Sequence, residues 1–139
     1  MNDFSWDDLK IGMQAQFNVA LTSEMMDTFA ILSGDINPLH RDEQFAVRAG
    51  FPGRVAFGML TSAFYSQLVG VHLPGKRALL HGIDLDFRSP AFIGDTLTVA
   101  GEITFLNDAY HRLELKATIR NQDGKVLSKA KIRAGLHES

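Results

Sequence analysis

The 139-residue chain has no cysteine, which excludes a disulfide framework, a thiolate nucleophile and a Cys-ligated zinc site. Proline is scarce at four residues, and no low-complexity stretch or block of like charge breaks the sequence, so no linker or disordered segment is marked. An excess of charge is missing too. Fourteen Lys and Arg stand against sixteen Asp and Glu, a formal charge of −2, which gives no global field for capturing nucleic acid or an anionic membrane. Basic strand faces with interleaved aromatics, the mark of a single-strand binder, are also wanting.

What is present is ordinary globular composition: 45% hydrophobic and 22% charged residues. At roughly 150 residues per domain, the expectation is a single domain over residues 1–139. The acidic start Met1-Asn-Asp-Phe-Ser-Trp-Asp-Asp8 lacks the basic-then-apolar order of a secretory signal, so the expected location is the cytoplasm. No formal charge occurs from Val55 to Gly75, a stretch long enough to cross a bilayer as a helix. Thr61, Ser62, Ser66, Gln67, His72 and Pro74 interrupt it, which suits a helix buried in protein better than one in lipid.

Helices and loops come first along the chain. Residues 14–21 form a candidate strand, and Thr22 or Ser23 can then cap a helix that buries Met25, Met26, Phe29, Ala30 and Leu32 and stops at Gly34. Residues 35–40 read as an extended turn, because Pro38 disfavours helix at Asn37. A short helix over 42–49 follows. The uncharged stretch supplies a longer helix from Gly58 to about Val71, with Met59, Leu60, Ala63, Phe64 and Leu68 as its apolar stripe. Ser62 and Ser66, four apart, read either as small side chains in a crowded core or as a polar face.

Strands follow. Leu79, His81, Ile83, Leu85 and Phe87 alternate with polar or small neighbours, as do Leu97, Val99, Gly101, Ile103 and Phe105, and Leu113, Leu115, Ala117 and Ile119. Asn121-Gln-Asp-Gly124 then turns the chain into a last strand over about 125–136. The pattern predicts an α+β protein in which a long antiparallel meander covers its apolar face with the helix beginning at Gly58. A curved sheet wrapped around one long helix is the hot-dog fold.

The densest group of chemically useful residues is Ser33-Gly-Asp-Ile-Asn-Pro-Leu-His40. On residue type alone, Asp35 reads as a side-chain turn and His40 as a hydrogen-bonded loop histidine as readily as it reads as a proton-transfer pair. A metal site at Asp35 and His40 is disfavoured, because His72, His81, His111 and His137 are scattered rather than at ligand spacing. The segment resembles the S-G-D-x-N-P-x-H signature of the MaoC-like hydratases and dehydratases, which include the (R)-specific enoyl-CoA hydratases. Gly58-Met59-Leu60, Leu73-Pro-Gly75 and Phe92-Ile-Gly-Asp95 extend the likeness over most of the chain.

That resemblance implies that Asp35 and His40 are a catalytic pair acting on a trans-2-enoyl thioester or its (R)-3-hydroxy counterpart. It assigns the Gly58 N–H to the oxyanion contact, at a helix amino terminus where free donors and the dipole favour negative charge. Asn37 would orient the turn or a bound water, and Ser66 aligns with a serine that supports the pair in some members. Proton transfer through water needs no metal or redox cofactor; coenzyme A or an acyl-carrier protein enters as the carrier of the substrate. Arg48, Arg54, Lys76, Arg77 and Arg88 could meet its phosphates or simply face water. The resemblance also implies a homodimer, which would close the acyl tunnel.

One residue departs from the pattern: Phe57 stands where members of the family commonly have His before Gly-Met. A large apolar ring there removes a polar group beside the expected oxyanion site, so acyl-chain preference, thioester orientation or rate could differ. It suggests one alternative from another class, a non-catalytic acyl-thioester-binding subunit; a hot-dog acyl-CoA thioesterase is the alternative among enzymes.

Overall fold

The computed structural model describes residues 1–137. A short 3-10 turn, Trp6–Asp8, leads to strand β1 (Gln14–Ala20), then to helices α1 (Ser23–Ser33), α2 (Pro38–Arg41), α3 (Glu43–Arg48) and α4 (Gly58–Gln67). α4 runs into a π-helical turn, Leu68–His72, before strands β2 (Ala78–Phe87), β3 (Thr96–Asn107), β4 (Arg112–Arg120) and β5 (Val126–Leu136).

All strand pairings are antiparallel, in the order β1-β3-β4-β5-β2. Only β3, β4 and β5 form the expected meander. β2 pairs with β5 rather than with β3, so the segment between β2 and β3 must travel from one side of the sheet to the other. On its way it forms a bridge between Val55 and Phe92, and the Ala91 carbonyl accepts a hydrogen bond from the Ala56 N–H at 2.8 Å. This crossing segment therefore holds the strip of chain that enters α4.

The sheet's inner face matches the helix. Leu113, Leu115, Ala117 and Ile119 of β4 lie opposite Ala134, Ile132, Ala130 and Ser128 of β5, all buried. Fully burying a side chain of Leu or Ile size stabilises by about 1.5–3 kcal/mol, which makes this face the main stabilising element. α4 joins it through Leu60 and Tyr65, and the π-helical turn through Leu68. Leu68 comes so close to β3 that a Cβ added to Gly101 would lie 2.7 Å from a Leu68 methyl carbon, so any larger residue there would force the Leu68 side chain to shift. The Tyr65 hydroxyl pairs with Ser128 Oγ at 2.7 Å, satisfying both buried groups; burial pushes the phenol pKa up to about 12.

Several sequence expectations change in detail. A bulge at His81 shifts the register of β2, so Leu79 faces outward while Leu80 joins Ile83, Leu85 and Phe87 on the inner side. A second bulge at Thr104 turns Phe105 outward and puts Leu106 in its place. On α1, Met26 and Ala30 are buried, but Leu32 is 81% exposed and Ile31 85%. On α4, Met59 is 65% exposed and Ala63 is also exposed; Thr61 and Tyr65 are buried instead. Pro38 starts α2 instead of preventing it, because a first-turn proline loses no intrahelical bond.

Candidate active site

The loop between α1 and α2 is folded by its own side chains. Gly34 ends α1 in the left-handed conformation, at φ 75°, and Ser33 Oγ accepts from the Asp35 N–H at 3.1 Å. Asp35 Oδ1 accepts from the Asn37 N–H at 3.1 Å, and Asn37 Oδ1 accepts from the Leu39 N–H at 2.9 Å, capping α2. Asp35 is exposed and has one carboxylate oxygen outside these bonds. The Asn37 side chain is thus spent on the cap of α2.

His40 lies at the end of α2, half-buried. Its Nδ1 is 2.7 Å from the Val55 carbonyl, and because a carbonyl only accepts, Nδ1 must carry the proton. In the neutral ring, Nε2 is then the basic nitrogen. The imidazole packs on Phe57 at 4.3 Å between ring centroids, and Phe57 in turn meets Phe29 at 4.9 Å. The Asp35 carboxylate and the imidazole are not hydrogen bonded to each other among the described residues.

The tip of α4 is the third part. Thr22, Asn37 and Asp42 cap α1, α2 and α3 with side-chain oxygens, whereas Phe57 precedes α4 and has none to offer. Among the described residues, no acceptor meets the Gly58 or Met59 N–H, so two first-turn donors stay open. A cavity of about 510 Å³ opens there, lined among others by Gly58, Met59, Thr61, Phe87, Arg88 and Leu127. The Phe87 ring lies 2.9 Å from where a Cβ on Gly58 would stand, a reason for glycine that the sequence did not disclose.

The structure thus joins His40 and Phe57 directly and sets Gly58 next in the chain, while Asp35 and Asn37 lie in the loop leading to His40. Asp35 and His40 do not line the α4 cavity; His40 approaches the tip from the α2 side, through Phe57 and the Val55 carbonyl, and Asp35 stays in the exposed loop before α2. Ser66 is exposed near the far end of α4, and its hydroxyl makes no hydrogen bond among the described residues. Ser62 Oγ instead donates to the Gly58 carbonyl at 2.7 Å. No group of three or more Asp, Glu and His side chains is arranged to hold a metal among the described residues. No helix there is long and apolar enough to cross a membrane.

Two contributors escaped the sequence reading: the Val55 carbonyl, which no side-chain motif reveals, and Arg54, whose guanidinium donates to the His40 carbonyl at 2.8 Å. From sequence, Arg54 reads only as a phosphate contact or a solvated surface residue, and nothing in its local sequence signals this partner.

A five-stranded antiparallel sheet packed on a helix whose tip borders a cavity defines a hot-dog protein. The chain belongs to the MaoC-like domain family, whose sequence model matches residues 8–122. It is 35% identical over 120 residues to an (R)-specific enoyl-CoA hydratase of Aeromonas caviae, covering 86% of this chain and 90% of that one. A 3-hydroxybutyryl-CoA dehydratase of Methylorubrum extorquens is 34% identical over 122 residues, 88% and 78% of the two chains. The solved structure of an (R)-hydratase from A. caviae superposes with a TM-score of 0.89 at 32% identity, covering 93% of this chain and 98% of that one.

Proposed function

We propose that this protein is a hydro-lyase of the (R)-specific enoyl thioester hydratase type, adding water to trans-2-enoyl thioesters or removing it from (R)-3-hydroxyacyl thioesters. The observation that carries this reading is the fixed tautomer of His40: Nδ1–H is committed to Val55, which directs Nε2 to proton transfer, beside a helix tip with open N–H donors. Similarity to a hydratase and a dehydratase over most of the chain supports it.

In hydration, water oxygen bonds to C3 while one member of the Asp35–His40 pair takes its proton. The electron pair of the double bond moves toward the thioester carbonyl, and the other member of the pair delivers a proton to C2. The open Gly58 N–H would meet the charge that develops on the carbonyl oxygen. Dehydration runs through the same groups with their roles exchanged. Water is added with no net oxidation or reduction, and coenzyme A or an acyl-carrier protein serves as the handle of the substrate.

We place the protein in the cytoplasm as a single domain acting as a homodimer. The free edge of β2, with Leu79, Leu80, Ile83 and Phe87 partly exposed, supports pairing with a second copy, and sedimentation finding only monomer at micromolar concentration would overturn it.

The functional test is crotonyl-CoA, a longer enoyl-CoA and an enoyl carrier protein, followed by loss of enoyl absorbance. The expected result is hydration that falls about 10²–10⁴-fold in Asp35→Asn and in His40→Gln, both measured on folded protein. Thiol release in place of hydration would mean a thioesterase. Thermal stabilisation by ligand without turnover would mean a binding subunit, and either outcome overturns the proposal.

A further inference from the structure

We propose that Arg54, through its contacts with Asp27 and the His40 backbone, is a positioning residue that sets the place of His40 relative to the α1–α2 loop. The inference rests on the hydratase reading and deepens it by naming a residue that holds the proton-transfer group without touching substrate.

α2 has only four residues and none of them is fully buried, so its own hydrogen bonds are too few to fix it. What fixes His40 comes from residues 54–57. The Val55 N–H donates to the Leu39 carbonyl at 3.2 Å, the Val55 carbonyl receives His40 Nδ1–H, and the Phe57 ring backs the imidazole. Arg54 does something the other contacts do not. Its Nε–H donates to the His40 carbonyl at 2.8 Å while Nη2–H donates to Asp27 Oδ1 at 2.7 Å, tying the end of α2 to the middle of α1.

α1 runs on into the loop that carries Asp35, so this link spans the base of the segment that presents both proposed proton-transfer groups. The two acceptors are met by one planar fork whose N–H directions are fixed; a lysine ammonium is a single point and cannot reproduce both bonds in that geometry. The Arg54 side chain is 15% exposed and that of Asp27 60%, so the ion pair is half in water and contributes little through charge alone. Its value is geometric. The His40 carbonyl, at the end of a one-turn helix, gains a charged donor that also fixes its distance from α1.

The test compares wild type, Arg54→Lys, Arg54→Ala and Asp27→Asn in crotonyl-CoA hydration, with nitrogen NMR of the imidazoles as a second readout. Because displacement of a reacting group by about 1 Å can lower the rate ~10²-fold, Arg54→Lys and Arg54→Ala should lose ~10–100-fold in kcat with KM within ~3-fold. Asp27→Asn keeps an acceptor oxygen and should lose less than ~5-fold. Added methylguanidinium should restore part of the kcat of Arg54→Ala. The His40 ring should show protonated Nδ1 in wild type and a mixture of tautomers in Arg54→Ala.

Wild-type kcat and an unchanged His40 tautomer in folded Arg54→Lys and Arg54→Ala would overturn the proposal, even if their melting temperatures fell. If both Arg54 variants fail to fold, Asp27→Ala decides by the same two readouts. A wild-type protein that hydrates no enoyl thioester sinks the hydratase reading instead, and the tautomer comparison still judges the clamp.

Discussion

The centre of the sheet and the tip of α4 use the same kinds of groups in opposite ways. At the centre, Leu115 and Ile132 face each other with no exposure, and the buried polar pair, Tyr65 and Ser128, is mutually satisfied. At the tip, the Gly58 and Met59 donors are open, a ring stands where the other helices have a capping oxygen, and Met59 is exposed. The closed region gives the protein its stability, and the open one leaves hydrogen-bonding capacity for a ligand. The separation can be tested, because a change at the sheet centre should move stability and leave turnover by the folded protein alone.

Leu115→Ala is the strongest such test. Leu115 sits between Ile103 of β3 and Ile132 of β5, and strands on both sides prevent the space from collapsing. Destabilisation of about 2–5 kcal/mol is expected in chemical denaturation. kcat measured on the folded fraction should stay within ~2-fold of wild type, since the substitution touches no group that moves a proton. A tenfold fall in kcat with little change in stability would reverse the roles assigned to the two regions.

How far these regions can be read from sequence differs for physical reasons. β4 was fully legible because its strict alternation continues unbroken between two neighbours. β2 and β3 were legible as strands, but the bulges at His81 and Thr104 depend on the partner strand and reverse the facing of Leu79, Leu80, Phe105 and Leu106. The place of β2 beside β5 follows from long-range pairing, which periodicity does not contain. Asp35, Asn37 and His40 stand out only through the resemblance of one contiguous segment. The Arg54 bond to Asp27 joins residues 27 positions apart, and only the packed structure brings them together. Exposed Leu32 and Ile31 were unreadable for a related reason: an apolar side chain on a helix does not say whether the same copy covers it.

Tyr65→Phe should have a smaller effect. It removes the hydroxyl but leaves Ser128 Oγ buried without its partner, so a loss of about 1–3 kcal/mol is expected. The pH dependence identifies the cause. Burial raises the Tyr65 pKa from 10.0 to about 12, so between those values the unfolded chain releases the phenol proton while the folded chain keeps it. The stabilisation linked to this difference is complete below pH 10 and declines as pH rises towards 12. In Tyr65→Phe that part of the decline should vanish, and equal slopes for the two proteins would show that Tyr65 is not the titrating group.

The smallest expected effect bears on the helix tips. Thr22 Oγ1 accepts the Met25 N–H at 3.2 Å, so Thr22→Ala opens a donor at α1 of the kind that α4 leaves open already. At α1 that opening has no substrate to meet, and it should only destabilise, by about 1 kcal/mol. Turnover by the folded protein should not change, because α1 begins far along the helix from the loop that holds Asp35. Thermal melts at fixed protein concentration, with kcat measured on the same samples, provide the check. A kcat loss larger than the stability change explains would mean that the start of α1 also sets the geometry at Asp35, and the division between capped, structural helix tips and the open tip of α4 would have to be withdrawn.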